Sequence, residues 1–400
     1  MRTYRHLFRA PEFTPLFTAV SLFVAASTVS GIALASLVYS ATRSPLLSAL
    51  SMFGGSFAQV VGAVALLSAA DRLPPRAAMT GLALTAGAGT AVLAVPELPI
   101  QGTFVVLFGL GLAGSVGGGV RYGLLAEILP KEAYVLGRSA LNMSVGIMQI
   151  AGFAVGGALV TALSPRGTLL VAAALDLLGA LVALIGLRTR AARSAGNPGR
   201  GPVRETWRVN TVLWSSAPRR YVYLALWVPN GLIVGCEAVF VPYSPRHAGL
   251  LLAVAAFGML AGDVTVGRIV PPGWRARLAT PLRLLLAAPY LVFALRPALW
   301  VAVAVVVLAS VGYSASLVLM ERLVELVPDD VQGQALGLHT AGMLTLQGVG
   351  AALAGALAQH TSAATAMTVM ALASVVVSLA LTPGLRVRGA GPVTPVGTAP

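Results

Sequence analysis

Two acidic residues stand inside long apolar runs of this sequence, Glu237 in "GCEAVF" and Asp176 in "AAALDLLGAL". A carboxylate in such surroundings is expensive. It exchanges a proton, meets a cation, or is held by a hydrogen bond from a neighbouring helix. For Glu237, which precedes Tyr243 by about 9 Å of helical rise, all three roles stay open. For Asp176 a structural hydrogen bond is the expected role. Asn230 adds a polar group to the run that holds Glu237, and Gln149 and Gln347 are expected to hydrogen-bond across an interface between two halves. His339 reads as a packing residue in preference to a proton relay. Arg121 closes another run beside the glycines Gly117 to Gly119 and is expected to join a charged network of loops. Those glycines are no phosphate loop, because no Gly-Lys-Ser/Thr follows them, and they read as sites of close helix packing. No Ser/His pair, paired carboxylates or metal-ligand spacing recurs in the runs, and no nucleotide-binding motif occurs. An enzyme, a metal site, a cofactor or an ATP-driven pump is therefore not expected. The one cysteine, Cys236, lies in an apolar run and reads as buried and inert.

The elements that carry these residues must tolerate lipid. With 57% hydrophobic and only 10% charged residues, the chain has too little polar surface for a soluble protein. Its charge of +14 is concentrated in short segments between apolar runs, so it reads as a topology signal and a contact for anionic lipids, not as a nucleic-acid surface. Apolar runs long enough to cross a bilayer as helices fall at about 15–39, 45–69, 77–95, 102–124, 139–163, 168–187, 221–243, 249–266, 280–295, 298–320, 336–357 and 363–381. Twelve spans with both termini cytoplasmic put every Lys and Arg on the inner side except Arg43, Arg166, Arg246 and Arg296. That bias sets the orientation. The basic N-terminus lacks a cleavable leader pattern, so the first helix is expected to stay attached.

The two halves are related. "AEILPKEAYVLGRSALNMSVGIMQIAGFAVGGAL" from Ala126 aligns without a gap on "VELVPDDVQGQALGLHTAGMLTLQGVGAALAGAL" from Val324, matching Glu127 to Glu325, Pro130 to Pro328, Gln149 to Gln347, Gly152 to Gly350 and Gly157 to Gly355. A second duplication joins "ALLSAADRLPPR", with Asp71, Arg72 and Arg76, to "AGDVTVGRIVPPGWR", with Asp263, Gly267, Arg268 and Arg275. The expected organisation is a six-helix bundle at 1–187, a basic cytoplasmic linker at 188–220, a second six-helix bundle at 221–385 and a disordered tail at 386–400. Trp207 and Trp214 mark a lipid-facing stretch of the linker.

With its span pattern, its repeat, the Asp71-Arg72 loop signature and "GFAVGG" at Gly152, Gly156 and Gly157, the chain resembles the major facilitator superfamily, nearest the multidrug, macrolide and siderophore exporters. In that motif Phe153 stands where the exporters have proline. The resemblance implies an all-α membrane fold of twelve helices in two pseudo-symmetric bundles. It also implies export of a small amphipathic molecule by alternating access with proton antiport, in a cell membrane, as a monomer. Asp71 would face the N-terminus of the eleventh helix near Leu336 and latch the halves, with Arg72, Arg76, Arg121, Asp263, Gly267 and Arg268 around the cytoplasmic gate. An acid in the first helix and a mid-membrane arginine in the fourth, both usual in such exporters, are missing. An uptake carrier of the same fold, or a transport-inactive sensor or scaffold, are the alternatives.

Overall fold

The computed structural model describes residues 4–65, 73–191, 202–328 and 331–386. Every regular element among them is helical. In chain order the α-helices are α1 (Tyr4–Leu7), α2 (Phe13–Thr42), α3 (Pro45–Phe53), α4 (Gly55–Ala65), α5 (Pro75–Leu93), α6 (Ile100–Ile128), α7 (Lys131–Gly186), α8 (Pro202–Ser215), α9 (Ala217–Ala238), α10 (Phe240–Tyr243), α11 (Ala248–Val264), α12 (Pro272–Ala287), α13 (Leu299–Val311), α14 (Ala315–Leu326), α15 (Gln332–His360) and α16 (Ala363–Arg386), with a π turn at Thr265–Ile269 and 3₁₀ segments at Ala288–Leu295 and Gly312–Ser314. A helix satisfies its own backbone groups, which is what a chain this apolar needs where lipid offers no hydrogen bonds.

Local sequence sets several boundaries. α2 ends at Arg43, which takes a left-handed conformation with φ 54° and donates its N–H to the Tyr39 carbonyl. The next helix starts at once, because Ser44 caps it by accepting the Leu47 N–H and Pro45 fits its first turn. α7 contains one break, at Ser164 (φ 79°, ψ 161°) before Pro165, where the proline ring cannot continue the preceding helix.

Ten helical segments among the described residues are long and apolar enough to cross a membrane. The sequence expectation was twelve spans. The difference has two sources: the fifth and sixth runs form one segment, Glu132–Gly186, through the Ser164 break, and α5 falls outside the ten.

The surface is inverted relative to a soluble protein. α16 turns Val369, Leu372, Val376 and Leu379 outward, and the second part of α7 exposes Leu170, Leu178, Leu181 and Ile185. These outward faces suit lipid. Inside, buried positions recur in the two halves of the chain: Leu125 with Leu323, Leu129 with Val327, and Leu187 with Leu385. α2 packs along α7, and α9 packs along α15. The expected tail at 386–400 lies outside the described residues beyond Arg386.

Candidate functional site

A cavity of about 350 Å³ opens among α2, α3, α4, α5, α6 and the second part of α7. Its size and its mix of apolar lining with a few polar groups suit a small organic molecule. Asp176 of α7 and Arg121 of α6 both line it. Asp176 is 4% exposed, and its Oδ1 has no hydrogen-bond partner. The expected structural hydrogen bond is therefore not made at that oxygen. The reason lies in the surrounding helices, which meet α7 through small groups: Gly87 sits against Ala173 and Leu177, and Gly179 against Ala19 and Leu22. None of these offers a donor.

Arg121 also departs from its expected place in a loop network. Its guanidinium stacks 5.0 Å from the Tyr122 ring, while its Nε is buried without a partner. The neighbouring glycines were expected to mark close helix packing. A Cβ added at Gly117 would make ordinary contact with Leu82 of α5 at 3.8 Å, whereas one added at Gly118, or at Gly114 one turn earlier, would meet nothing within 4 Å, and Gly114 and Gly118 line the cavity. These residues fall on the same α6 face as Arg121, at spacings of four and three residues. The missing side chains supply volume, and the arginine gives that volume a charge.

Glu237 faces a different environment. It is 6% exposed in α9, and its Oε1 accepts the hydroxyl of Tyr313 at 3.1 Å. Tyr313 sits in a single 3₁₀ turn, Gly312–Ser314, between α13 and α14. Tyr290, stacked on Phe293 at 5.6 Å, completes an aromatic group in the interior of the second half. Of the three roles left open by the sequence, this geometry supplies the helix-packing one directly. Cys236 beside it is buried, with its thiol donating to the Leu232 and Met367 carbonyls.

The two glutamines do not join the halves. Gln347 Nε2 donates to Asn230 Oδ1 at 3.0 Å, both within the second half, and Gln149 is exposed on α7. His339 accepts the Trp227 indole N–H on Nδ1 at 3.3 Å, as a packing residue would. Trp214 of the linker helix stacks on Trp227 at 5.7 Å and lies 6.2 Å from Tyr223, so this part of the linker packs on the protein as well as facing outward.

Of the expected cytoplasmic gate, Asp71 and Arg72 lie outside the described residues. Arg76 donates to Thr189 Oγ1 at 2.9 Å, joining the start of α5 to the end of α7. In the second copy, the Arg275 guanidinium donates to the Gly267 carbonyl at 2.7 Å and pairs with Glu321 at 3.1 Å. Asp263 and Arg268 are exposed and make no ion pair among the described residues.

A stronger charged contact went unread in the sequence. Glu12 accepts both terminal guanidinium nitrogens of Arg190, at 2.6 and 2.7 Å, and the Arg188 N–H at 2.9 Å. Arg190 lies 3.5 Å from Glu127 as well. The Arg190 hydrogen bonds hold the Glu12 carboxyl below the ordinary glutamate range, and Glu12 raises Arg190 in return. This contact ties the ends of α2, α6 and α7 together on one face. Arg283, counted in the sequence with the cytoplasmic charges, is 1% exposed and donates to Ala279, Thr280 and Thr382.

The "GFAVGG" residues are close-approach sites. A methyl on Gly152 would meet Thr28, one on Gly156 would meet Ile32 and Val29, and one on Gly157 would lie 2.7 Å from the Gly249 Cα. Gly355, at the repeat position of Gly157, does the corresponding thing against Leu46 and Ala49. Gly157 and Gly355 thus each press against the other half of the chain, near a hydrogen bond from Ser44 Oγ to Gln359 Oε1 of 2.7 Å.

No family model and no curated protein matches the sequence. Solved structures do. A POT family transporter in complex with a thioalcohol-conjugated peptide aligns with a TM-score of 0.73 at 13% identity, covering 94% of this chain and 96% of that one. A POT family transporter in complex with 5-aminolevulinic acid aligns with a TM-score of 0.75 at 13% identity over the same shares. The nucleoside transporter NupG aligns with a TM-score of 0.72 at 14% identity, covering 94% of this chain and all of the other. The chain shares the all-α fold of these transporters.

The fold matches that of known transporters, and the chain is a multi-pass membrane protein, which agrees with a plasma or inner membrane location. The nearer resemblance expected from the sequence is corrected. The similar structures are POT family and nucleoside transporters, so a place among drug, macrolide and siderophore exporters, with efflux and antiport, does not stand. The misreading has a physical source. Loop signatures and the helix-five glycines serve packing and topology, which carriers of opposite direction share.

Proposed function

We propose that the chain is an uptake carrier for a small polar organic solute, working by alternating access between two six-helix halves, residues 1–187 and 221–385. The linker at 188–220 joins them, and both termini are cytoplasmic. Counting Lys131–Gly186 as two spans at Ser164, and α5 as one more, brings the ten apolar segments to twelve. The paired core positions and the Gly157 and Gly355 contacts support a two-fold pseudo-symmetric arrangement. In that orientation those glycine contacts lie on the outer side and close it.

The observation that carries the reading is the charged cavity of Asp176 and Arg121, in a fold similar to transporters named for a peptide conjugate, 5-aminolevulinic acid and nucleosides. A cavity holding a buried carboxylate and a guanidinium favours polar solutes over hydrophobic drugs. Lipids surround the carrier. Protons are the proposed coupling partner, with Glu237 as the exchanging group, and the working unit is a monomer.

The test is counterflow into proteoliposomes preloaded with unlabelled amino acids, dipeptides or nucleosides. Exchange of external label for at least one class, and its accumulation in right-side-out vesicles under an inward proton gradient, is the expected result. Absence of exchange for every class would overturn the proposal.

A further inference from the structure

We infer that the cavity of the first half is a site for zwitterions, in which Asp176 receives an ammonium group and Arg121 a carboxylate. The inference rests on the uptake reading and names the substrate class of that carrier.

Three observations carry it. First, both charged side chains line one cavity of about 350 Å³, and no ion pair joins them among the described residues. A buried carboxylate oxygen without a hydrogen-bond partner and a guanidinium nitrogen also without one, on residues that line the same cavity, are a costly arrangement that a ligand bearing both opposite charges relieves. Second, the two residues stand at different depths. The Arg190 contacts with Glu12 and Glu127 put the ends of α6 and α7 on one face. Counting back from Ile128 and Gly186 places the Asp176 Cα about 5 Å deeper than that of Arg121. The charges therefore address two ends of a small molecule, with Ser27, Ser30 and Gln59 lining the same cavity to hydrogen-bond its middle. Gly114 and Gly118 leave the space it fills.

Third, the repeat does not copy the pair. Extending the gapless alignment puts Leu319 at the position of Arg121 and Ser374 at that of Asp176. Leu319 is 1% exposed in the apolar core. Ser374 is fully buried and donates its hydroxyl to the Pro229 carbonyl at 3.4 Å. The fold is built at these positions without charge, so the charges of the first half are not required by the architecture.

The experiment measures binding to the full chain in nanodiscs with three matched probes: 5-aminolevulinic acid, levulinic acid, which lacks the ammonium, and 5-aminolevulinic acid methyl ester, which lacks the carboxylate. The wild type is expected to prefer the zwitterion by at least roughly tenfold over either analogue. Asp176→Asn should remove the preference over levulinic acid, and Arg121→Gln the preference over the ester. Gly118→Leu should abolish binding of all three by filling the cavity, and since nothing lies within 4 Å of its Cβ, that variant should fold. A wild type without preference, or preferences unchanged in Asp176→Asn and Arg121→Gln, would overturn the site. Counterflow of another solute class that is indifferent to Asp176 sinks this inference and leaves the uptake reading standing. Asp176-dependent binding without counterflow does the reverse.

Discussion

Gly157 and Gly249 meet backbone to backbone, so that a methyl group on Gly249 would also lie 2.8 Å from the Phe153 carbonyl oxygen. Helices approach this closely only where side chains are absent. Gly249→Ala is expected to wedge α7 from α11 at a cost of about 1–3 kcal/mol. It should increase maleimide labelling of a cysteine placed at Gln359, on the same face. Gly109→Ala, where the added methyl meets nothing, is the control and should be neutral or slightly stabilising. Equal labelling of Gly249→Ala and its parent would refute closure at this contact.

Tyr313 and Glu237 form a second pair whose removal can be read. Tyr313→Phe takes the hydroxyl donor from a buried carboxyl and should cost about 1–3 kcal/mol, whereas Glu237→Gln keeps an acceptor for the hydroxyl and should cost less. If Glu237 also exchanges the coupling proton, Glu237→Gln retains counterflow but loses accumulation driven by a pH gradient. Gradient-driven uptake that persists in Glu237→Gln assigns the residue to packing alone.

The Glu12 to Arg190 contact has a pH signature. Because Arg190 holds the carboxyl below its ordinary value of 4.5, the contact contributes its full stability above about pH 4.5 and loses it as the pH falls through the lowered value. Glu12→Gln should therefore destabilise by about 2 kcal/mol at pH 7, with the gap from wild type narrowing below pH 4.5. Thermal unfolding of both proteins between pH 3.5 and 7 measures this, and a gap that widens in acid would contradict it.

Trp214→Ala should expose the Trp227 face and cost about 1 kcal/mol, the worth of an aromatic stack beyond its area. Reduced intrinsic fluorescence with a red-shifted residual emission is the expected reading. No spectral shift would mean that α8 does not rest on α9 in solution.

Buried Cys236, the only cysteine, gives all these variants a common fold check. Its thiol should stay silent to a membrane-permeant maleimide until the second half unfolds, so a labelling midpoint that tracks thermal unfolding is expected. Rapid labelling of the native protein would show that α9 is not packed against α16 as described.

Much of the architecture is legible in the sequence. Apolar length marks spans directly, because lipid imposes one thickness on every helix. Extended at the same offset, the gapless match of Ala126 onward with Val324 onward pairs buried positions such as Leu187 and Leu385. The expected start of a span at 45 and the gap between the runs 139–163 and 168–187 fall where the backbone starts a helix at Pro45 and breaks one at Ser164.

The two acids show what the sequence by itself determined and what only the tertiary structure decided. From the sequence, Glu237 and Asp176 were both costly charges in apolar helices, with a structural hydrogen bond expected for Asp176. The structure gives Glu237 the hydrogen bond and leaves Asp176 with an unpartnered oxygen in a cavity beside Arg121. Gly118 of α6 changed meaning in the same way, from packing to open volume. The physical reason is shared: a helix apolar on every side has no polar stripe to fix its rotation, since lipid and protein interior look alike to leucine. Composition and length therefore determined that helices cross the membrane and where the chain repeats. The rotation of each helix, and with it the side chains that meet, was decided by close contacts such as those at Gly87, Gly157 and Gly179 between segments far apart in the chain.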